Sequence, residues 1–475
     1  MIALILFLPV VLSLTGLLAK NKLVNRSNLF VTSAAYVLVV VLKIFSLNFL
    51  ILPDWLLIYF SFDSIGIFFL SIMTIVFVAV SIYSIFYFKE HHLNAERESV
   101  YVAELLFFLA AMSGVILSTH LALLWVFVEA TTLTSALLIY FEKRKSSLEA
   151  AWKYVYICSI GIALAFVGII ILSIGSRDLN SLFFTDLYNN AKKINPFWLK
   201  ISFAFLFVGL GTKVGVAPIH AWLPDAHSEA PSPASAMLSG TLLNSALLGL
   251  IRVHEIFIKA GEQHFSNFFF LLTGFLSLFV SSVFIVRTKN YKRMLAYSSI
   301  ENMGILFIGI SLGKYGIFAA MLHTLSHSFA KATLFLTSGN ILYLFKSKKF
   351  DDVKGLINVD SKTGWLWVIS ALAIMGMPPF PIFISKFFIT VALWKAGLSW
   401  LAILFFLFLV IISFGMFSSV YNMTFGDKAD NKTESAPTWN AYVPQVALLL
   451  ILLLIGINMP DFVSNLINNA ANFLK

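Results

Sequence analysis

Glu129 stands 84 residues before Lys213, and Glu301 stands 85 before Lys386, all four within long apolar stretches. A charge held in hydrocarbon costs about 2.5 kcal/mol or more on insertion scales, so a membrane chain that keeps one commonly uses it for an ion or proton path. His323, His327 and Lys331 follow the spacing i, i+4, i+8 and share one helix face. Imidazole changes charge near neutrality, so such a stripe suits proton relay. The run from Phe197 to Gly211 before Lys213 is almost wholly apolar, and Pro218, five residues after the lysine, predicts a helix break at that point. Gly376-Met377-Pro378-Pro379 predicts a second break shortly before Lys386. A charged side chain at a broken membrane helix is a construction that transporters use for midplane ion sites. A carboxylate beside a desolvated lysine favours the charged form, and its withdrawal favours proton release. The chemistry these residues support is therefore proton or cation transfer.

Plainer readings exist for each group. Buried Glu–Lys pairs can simply lock helices together, and the His323/His327/Lys331 stripe can be satisfied packing. His220, Asp225, His227 and Glu229 fit no zinc-ligand spacing; Asp225 and Glu229 are expected to cap the next helix, which should begin near Ser232. Gly209, Gly211 and Gly215 lie in a membrane span, so they form no nucleotide loop and are expected to permit close helix approach.

The elements that must carry these residues are membrane helices. Hydrophobic residues make up 59% of the 475 and charged residues 12%, against about 25% charged in soluble proteins. Apolar stretches fall near 1–18, 28–48, 63–88, 102–118, 121–141, 149–174, 198–218, 232–256, 267–286, 294–312, 315–345, 364–394, 399–424 and 441–462. Those at 63–88, 315–345 and 364–394 are long enough to require tilt or a break. The first lacks a basic leader and a small-residue cleavage site and reads as a helix. Of the 33 basic residues, nineteen fall in one set of alternating loops and nine in the other, which predicts both termini on the outer face. Basic charge is thus assigned to membrane topology and not to nucleic acid. Cys158 alone excludes a Cys-only iron–sulfur cluster or a disulfide within this chain. Asn431-Lys432-Thr433 has a glycosylation pattern but falls in a loop expected on the cytoplasmic side.

The expected fold is an all-α membrane protein, residues 1–475 as one polytopic domain of about fourteen helices, with helices 7 and 12 broken. Glu129 and Lys213 fall in the fifth and seventh stretches, Glu301 and Lys386 in the tenth and twelfth. An offset of five helices reverses direction, so residues 102–256 and 267–424 are expected to form two inverted five-helix repeats.

Lys213-Val-Gly-Val-Ala-Pro218-Ile-His220-Ala-Trp222-Leu-Pro224-Asp225-Ala-His227-Ser-Glu229-Ala-Pro231-Ser-Pro233 resembles the defining segment of a superfamily. It comprises the proton-pumping membrane subunits of complex I, the Mrp antiporters and the membrane-bound hydrogenases. Trp125-Val-Phe-Val-Glu129-Ala-Thr-Thr-Leu133 is similar to its fifth-helix motif, and Tyr291 to Gly304 to its tenth-helix signature. His323-Thr-Leu-Ser-His327-Ser-Phe-Ala-Lys331 is similar to its central relay, and Ser385-Lys386 to its twelfth-helix lysine. Within the superfamily the chain most resembles hydrogenase-4 component F subunits. The resemblance implies proton or sodium translocation through Glu129, Lys213, Lys331 and Lys386, supported by His323, His327, Glu301, Asn244 and His220. Many complex I relatives have lysine where Asn244 stands, so here the relay between Lys213 and Lys331 would need water, Asn244 or a histidine. The resemblance also implies other membrane subunits, a hydrophilic redox arm with nickel–iron and iron–sulfur centres outside this chain, and a prokaryotic inner membrane. Mrp-type antiporters and complex I-like oxidoreductases are the alternatives.

Overall fold

Apolar runs in hydrocarbon must satisfy every backbone N–H and C=O internally, and a helix does so within one segment. The computed structural model describes residues 1–45, 54–179, 181–426 and 436–474, and among them there is no β-strand. The helices are α1 (Ile2–Ala19), α2 (Lys22–Ile44), α3 (Asp54–Tyr59), α4 (Ser64–Glu90), α5 (Ala95–Leu117), α6 (Leu121–Tyr140) and α7 (Lys145–Gly175). There follow α8 (Phe184–Asn189), α9 (Pro196–Val214), α10 (Leu223–Glu229), α11 (Ser232–Met237), α12 (Leu243–Ala260), α13 (Gln263–Arg287) and α14 (Tyr291–Ser311). The last are α15 (Ile317–Phe345), α16 (Leu356–Val359), α17 (Ser361–Met375), α18 (Pro381–Lys395), α19 (Ser399–Phe425), α20 (Val443–Ile457) and α21 (Asp461–Ala471). Twelve stretches among the described residues are long and apolar enough to cross a membrane. α15 and the α17–α18 pair, which carry the histidine stripe and Lys386, fall on the two remaining stretches read from the sequence. The end of the stretch 28–48, the Asn431 pattern and Lys475 lie outside the described residues.

Several helix starts are fixed by side chains that accept from the first turn: Asp63 for α4, Asn94 for α5, Asn195 for α9, Asn290 for α14 and Asp360 for α17. Each such cap is worth about 1 kcal/mol. Of the long stretches, 63–88 and 315–345 are single uninterrupted helices, and only 364–394 divides. Its two halves meet at Gly376, whose φ of 88° suits a residue without a Cβ.

Helix seven also breaks, although Pro218 is not the cause. α9 already ends at Val214, where Gly215 takes φ 79°, and Pro218 lies in the turn that follows. α10 then resumes the chain, and a π-helical turn at Leu238–Leu242 joins α11 to α12. The expectation of close approach holds for Gly209, and for Gly215, which abuts Leu223 at the start of α10, but not for Gly211. A Cβ on Gly209 would lie 2.5 Å from both the Ala165 Cβ and the Gly161 carbonyl on α7, whereas one on Gly211 meets nothing nearer than 3.5 Å. α13 and α14 meet in the same manner, through Gly274 and Gly304.

The segment from Ser232 to Phe257 is buried throughout and most of α15 is buried, so the helices that carry polar side chains are shielded from lipid. Lys20 pairs with Glu96 at the end of the bundle where α5 begins, so α1 starts at the opposite end. Phe473 packs on Tyr188 near Arg252, which places the last described residues at that same opposite end. There a buried Arg252 is tied to Asp63 at 2.8 Å and to the Ile116 carbonyl at 3.1 Å.

Candidate functional site

Two clusters and a stripe on α15 contain most of the residues singled out by the sequence. The first is built by α6, α7 and α9. Lys213, in the last turn of α9, is fully buried; its ammonium donates to Thr132 Oγ1 at 2.8 Å and to the Tyr154 hydroxyl. It also lies 4.6 Å from the Tyr154 ring centroid. Tyr154 shares a 2.5 Å hydrogen bond with Ser135 and packs on Trp222, whose indole N–H donates to the Thr212 carbonyl exposed by the end of α9.

The expected direct pairing of Glu129 with Lys213 is absent. Glu129 accepts from Ser159 on α7 at 2.9 Å, and its other oxygen is buried without a partner. Thr132 lies three residues further along α6, roughly 60° around its axis, and takes the place beside the ammonium. No ion pair therefore joins these two described side chains.

The second cluster is built by α14, α17 and α18, and there the pair is closed. Lys386 Nζ lies 3.1 Å from Glu301 Oε1 and donates to the carbonyls of Ile374 and Met375 at 3.4 and 3.2 Å. These carbonyls end α17, so the ammonium occupies the negative end of a half-helix dipole. Ser298 at 3.3 Å and Asn302 at 3.5 Å donate to the other Glu301 oxygen. The two breaks correspond, since a left-handed glycine precedes a proline by three residues in both, Gly215 before Pro218 and Gly376 before Pro379. The lysines do not correspond: Lys213 lies before its break and Lys386 after it.

α15 carries the stripe, whose first histidine adjoins the second cluster. His323 is held at both ring nitrogens, 2.8 Å from Ser385 Oγ and 2.9 Å from Asn302 Oδ1, and so touches the sequence neighbours of both Lys386 and Glu301. The His327 ring lies 6.4 Å from that of His323, and neither of its nitrogens has a protein partner. Lys331, fully buried, donates to the Leu295 carbonyl of α14 at 2.7 Å. Asn244 donates to Ser328 Oγ at 2.7 Å and leaves its own oxygen buried and unpartnered, so the eighth-helix position touches α15 without a titratable group. His220 is half-buried in the turn between α9 and α10, apart from these contacts, with a buried unpartnered Nδ1.

Asp225 and Glu229 do not cap α11, whose N-cap is Pro231. They lie on α10 and point sideways: Asp225 pairs with Lys153 at 3.3 Å and with Arg293, and Glu229 pairs with Lys348 at 3.0 Å and accepts from Ser146 at 2.8 Å. α10 is thereby fastened to α7, to α14 and to the loop after α15.

Other relevant residues were not recognisable as site members in the sequence. Lys292, counted with the loop charges, is buried and donates to the Ala230 carbonyl at 2.8 Å. His227, also buried and unpartnered at both nitrogens, stacks at 4.9 Å on Phe335, one turn beyond Lys331 on α15. Glu104 is largely buried on α5, with one oxygen lacking a partner. A charge or hydroxyl one turn from a singled-out residue was the available signal for Thr132; for Tyr154 there was none, because it comes from a different helix.

Buried lysines and histidines at two broken helices of a helical membrane bundle define an antiporter-like membrane subunit. Residues 118–413 match the family described as NADH:quinone oxidoreductase/Mrp antiporter, TM, and the chain belongs to it. It is 30% identical over 429 residues to a hydrogenase-4 component F homolog of Methylacidiphilum infernorum, covering 88% of this chain and 89% of that one. The fold is similar to that of a chain in the membrane-bound sulfane sulfur reductase, an archaeal respiratory membrane complex, with TM-score 0.89, 23% identity and coverage of 100% and 97%. A chain of the Mrp complex from Dietzia sp. superimposes with TM-score 0.87 at 16% identity, again over 100% and 97% of the two chains.

Proposed function

We propose that this chain translocates protons, or sodium ions in exchange for them, as one subunit of a hydrogenase-4-type membrane complex. The observation that carries the reading is the set of buried lysines and imidazoles held inside the bundle: Lys213 on α9, His323, His327 and Lys331 on α15, and Lys386 on α18. Its full-length similarity to a hydrogenase-4 component F homolog supports the choice of complex. In this reading fourteen segments cross an inner membrane with both termini outside, and residues 102–256 and 267–424 are inverted repeats.

The two clusters represent the two positions of one switch. In the second, Glu301 holds the charge on Lys386; in the first, Glu129 is withdrawn to Ser159 and Lys213 has only hydroxyl partners. Movement of either carboxylate changes whether its lysine keeps a proton, because charge in a desolvated site depends on its nearest counter-charge. Released protons pass through His323, His327 and Lys331, with water spanning the space beside Asn244. The electron-transfer chemistry belongs to partner subunits bearing nickel–iron and iron–sulfur centres, and this chain responds to them through its buried charges.

The test is proton uptake by proteoliposomes containing the purified complex. Lys213→Ala and Lys386→Ala should abolish uptake while the subunit still assembles. Lys213→Arg should do the same, since guanidinium does not release its proton at usable pH; full uptake by that variant would reduce Lys213 to a fixed charge. Co-purification of nickel–iron and iron–sulfur subunits supports the hydrogenase assignment. Recovery of antiporter subunits alone, with metal-free sodium/proton exchange, would instead establish the Mrp-type reading, which the fold likeness to an Mrp chain favours.

A further inference from the structure

The end of α13, the start of α14 and the loop after α15 enclose a groove of about 740 Å³ that the translocation residues do not use. Clefts of about 300–1,000 Å³ are the usual size for small ligands. Its charged lining is Arg287, Lys289, Arg293 and Lys349 against Glu229 and Asp351. Arg293 is taken by Asp225 and Glu229 by Lys348. Arg287, Lys289 and Lys349 are exposed and enter no ion pair among the described residues, so the open charge of the groove is positive even with Asp351 present.

The wall of this groove is continuous with the lipid-facing side of α13. Phe284 is 44% exposed and its ring stacks on Tyr297 at 4.9 Å, and half-buried Val280 and Leu276 continue that side of α13 toward the other end of the helix. Val286, Phe279, Leu272 and Phe268 form a separate exposed stripe that runs down from a second groove. That groove, of about 620 Å³, lies on the far side of the Arg287–Lys289 ridge and is bounded by Val286, Phe350 and Lys354. A basic cleft whose floor opens onto an apolar helix flank has the shape and charge of a phospholipid's interfacial region. Soluble phosphate has no use for the apolar flank, and an acidic protein segment would not require it to continue down the membrane.

We propose that this groove binds an anionic phospholipid, with its phosphate against Arg287, Lys289 and Lys349 and its acyl chains along Phe284 and Val280. A basic side chain at a membrane surface strengthens attraction to anionic lipid by roughly fivefold. Binding of phosphatidylglycerol and of phosphatidylcholine with identical acyl chains to the purified full chain is measured by native mass spectrometry. The variant Arg287→Gln/Lys289→Gln/Lys349→Gln should lose at least tenfold of the preference for phosphatidylglycerol. Lys22→Gln/Lys143→Gln/Lys145→Gln, which removes the same charge at the same end, should retain it, and Asp351→Asn should increase it. Glycerol 3-phosphate should not displace the lipid. Unchanged preference in the first variant, equal loss in the second, or displacement by glycerol 3-phosphate would each overturn the proposal. So would loss of partner subunits from the first variant with its lipid binding intact, which would make the groove a protein interface.

Discussion

The contrast between the two Glu–Lys clusters gives the sharpest quantitative expectation. At 3.1 Å, a Glu301–Lys386 pair in surroundings of effective dielectric about 20 has a Coulomb attraction of about 5 kcal/mol. Removing one partner of a buried pair costs about 3–5 kcal/mol, because the other charge is left uncompensated. The α17 carbonyls that also receive the Lys386 ammonium offset part of that cost, which places Glu301→Gln near 3 kcal/mol. Lys386→Met should cost a similar amount, and the double variant little more than either alone, giving a coupling energy of about 2–3 kcal/mol. In the first cluster no ion pair joins Glu129 and Lys213, so the coupling between Glu129→Gln and Lys213→Met should fall well below that of the second cluster, at about 1 kcal/mol or less. The assay is unfolding of the purified subunit in mixed detergent micelles for both cycles. Additive effects at Glu301 and Lys386, or strong coupling at Glu129 and Lys213, would refute the assignment of a closed pair to one cluster and an open one to the other.

Tyr154→Phe deprives both Lys213 and Ser135 of a buried partner and should cost about 1–3 kcal/mol while slowing proton uptake; wild-type uptake in proteoliposomes would remove Tyr154 from the site. Gly209→Val forces a side chain to within 2.5 Å of the α7 backbone and should destabilise by about 1–3 kcal/mol, measurable as a lowered midpoint in the same micelles. Gly211→Ala, with its nearest neighbour at 3.5 Å, should be close to neutral. Reporter fusions after Lys145 and after Lys354 should both read cytoplasmic, and either one reading outside would break the proposed topology.

Much was legible in the sequence because hydrocarbon imposes strict local rules. Apolar runs of the required length became helices close to their expected limits, from α1 to α20, since no other backbone arrangement of one segment satisfies itself there. The charged residues were conspicuous for the same reason: Lys213, Lys331 and Lys386 are buried among protein and not displayed to lipid. The short motifs around them were sufficient to indicate the family to which the chain belongs. Pairings between helices were not legible. That Lys213 meets Thr132 and Tyr154 while Glu129 turns to Ser159 depends on the rotation and register of α6, α7 and α9, which no periodicity within one helix encodes. Pro218 was a visible breaker, yet Gly215 ended the helix first because its left-handed conformation satisfies the terminal carbonyls. Asp225 and Glu229 looked like caps by position, and only the folded chain brings Lys153, Arg293 and Lys348 within reach of them. Lys292 and Arg252, loop charges by position, were drawn inside by partners far away in sequence. Sequence thus determined which side chains must leave the lipid, because desolvation acts on each residue alone; tertiary packing decided which partners they would find.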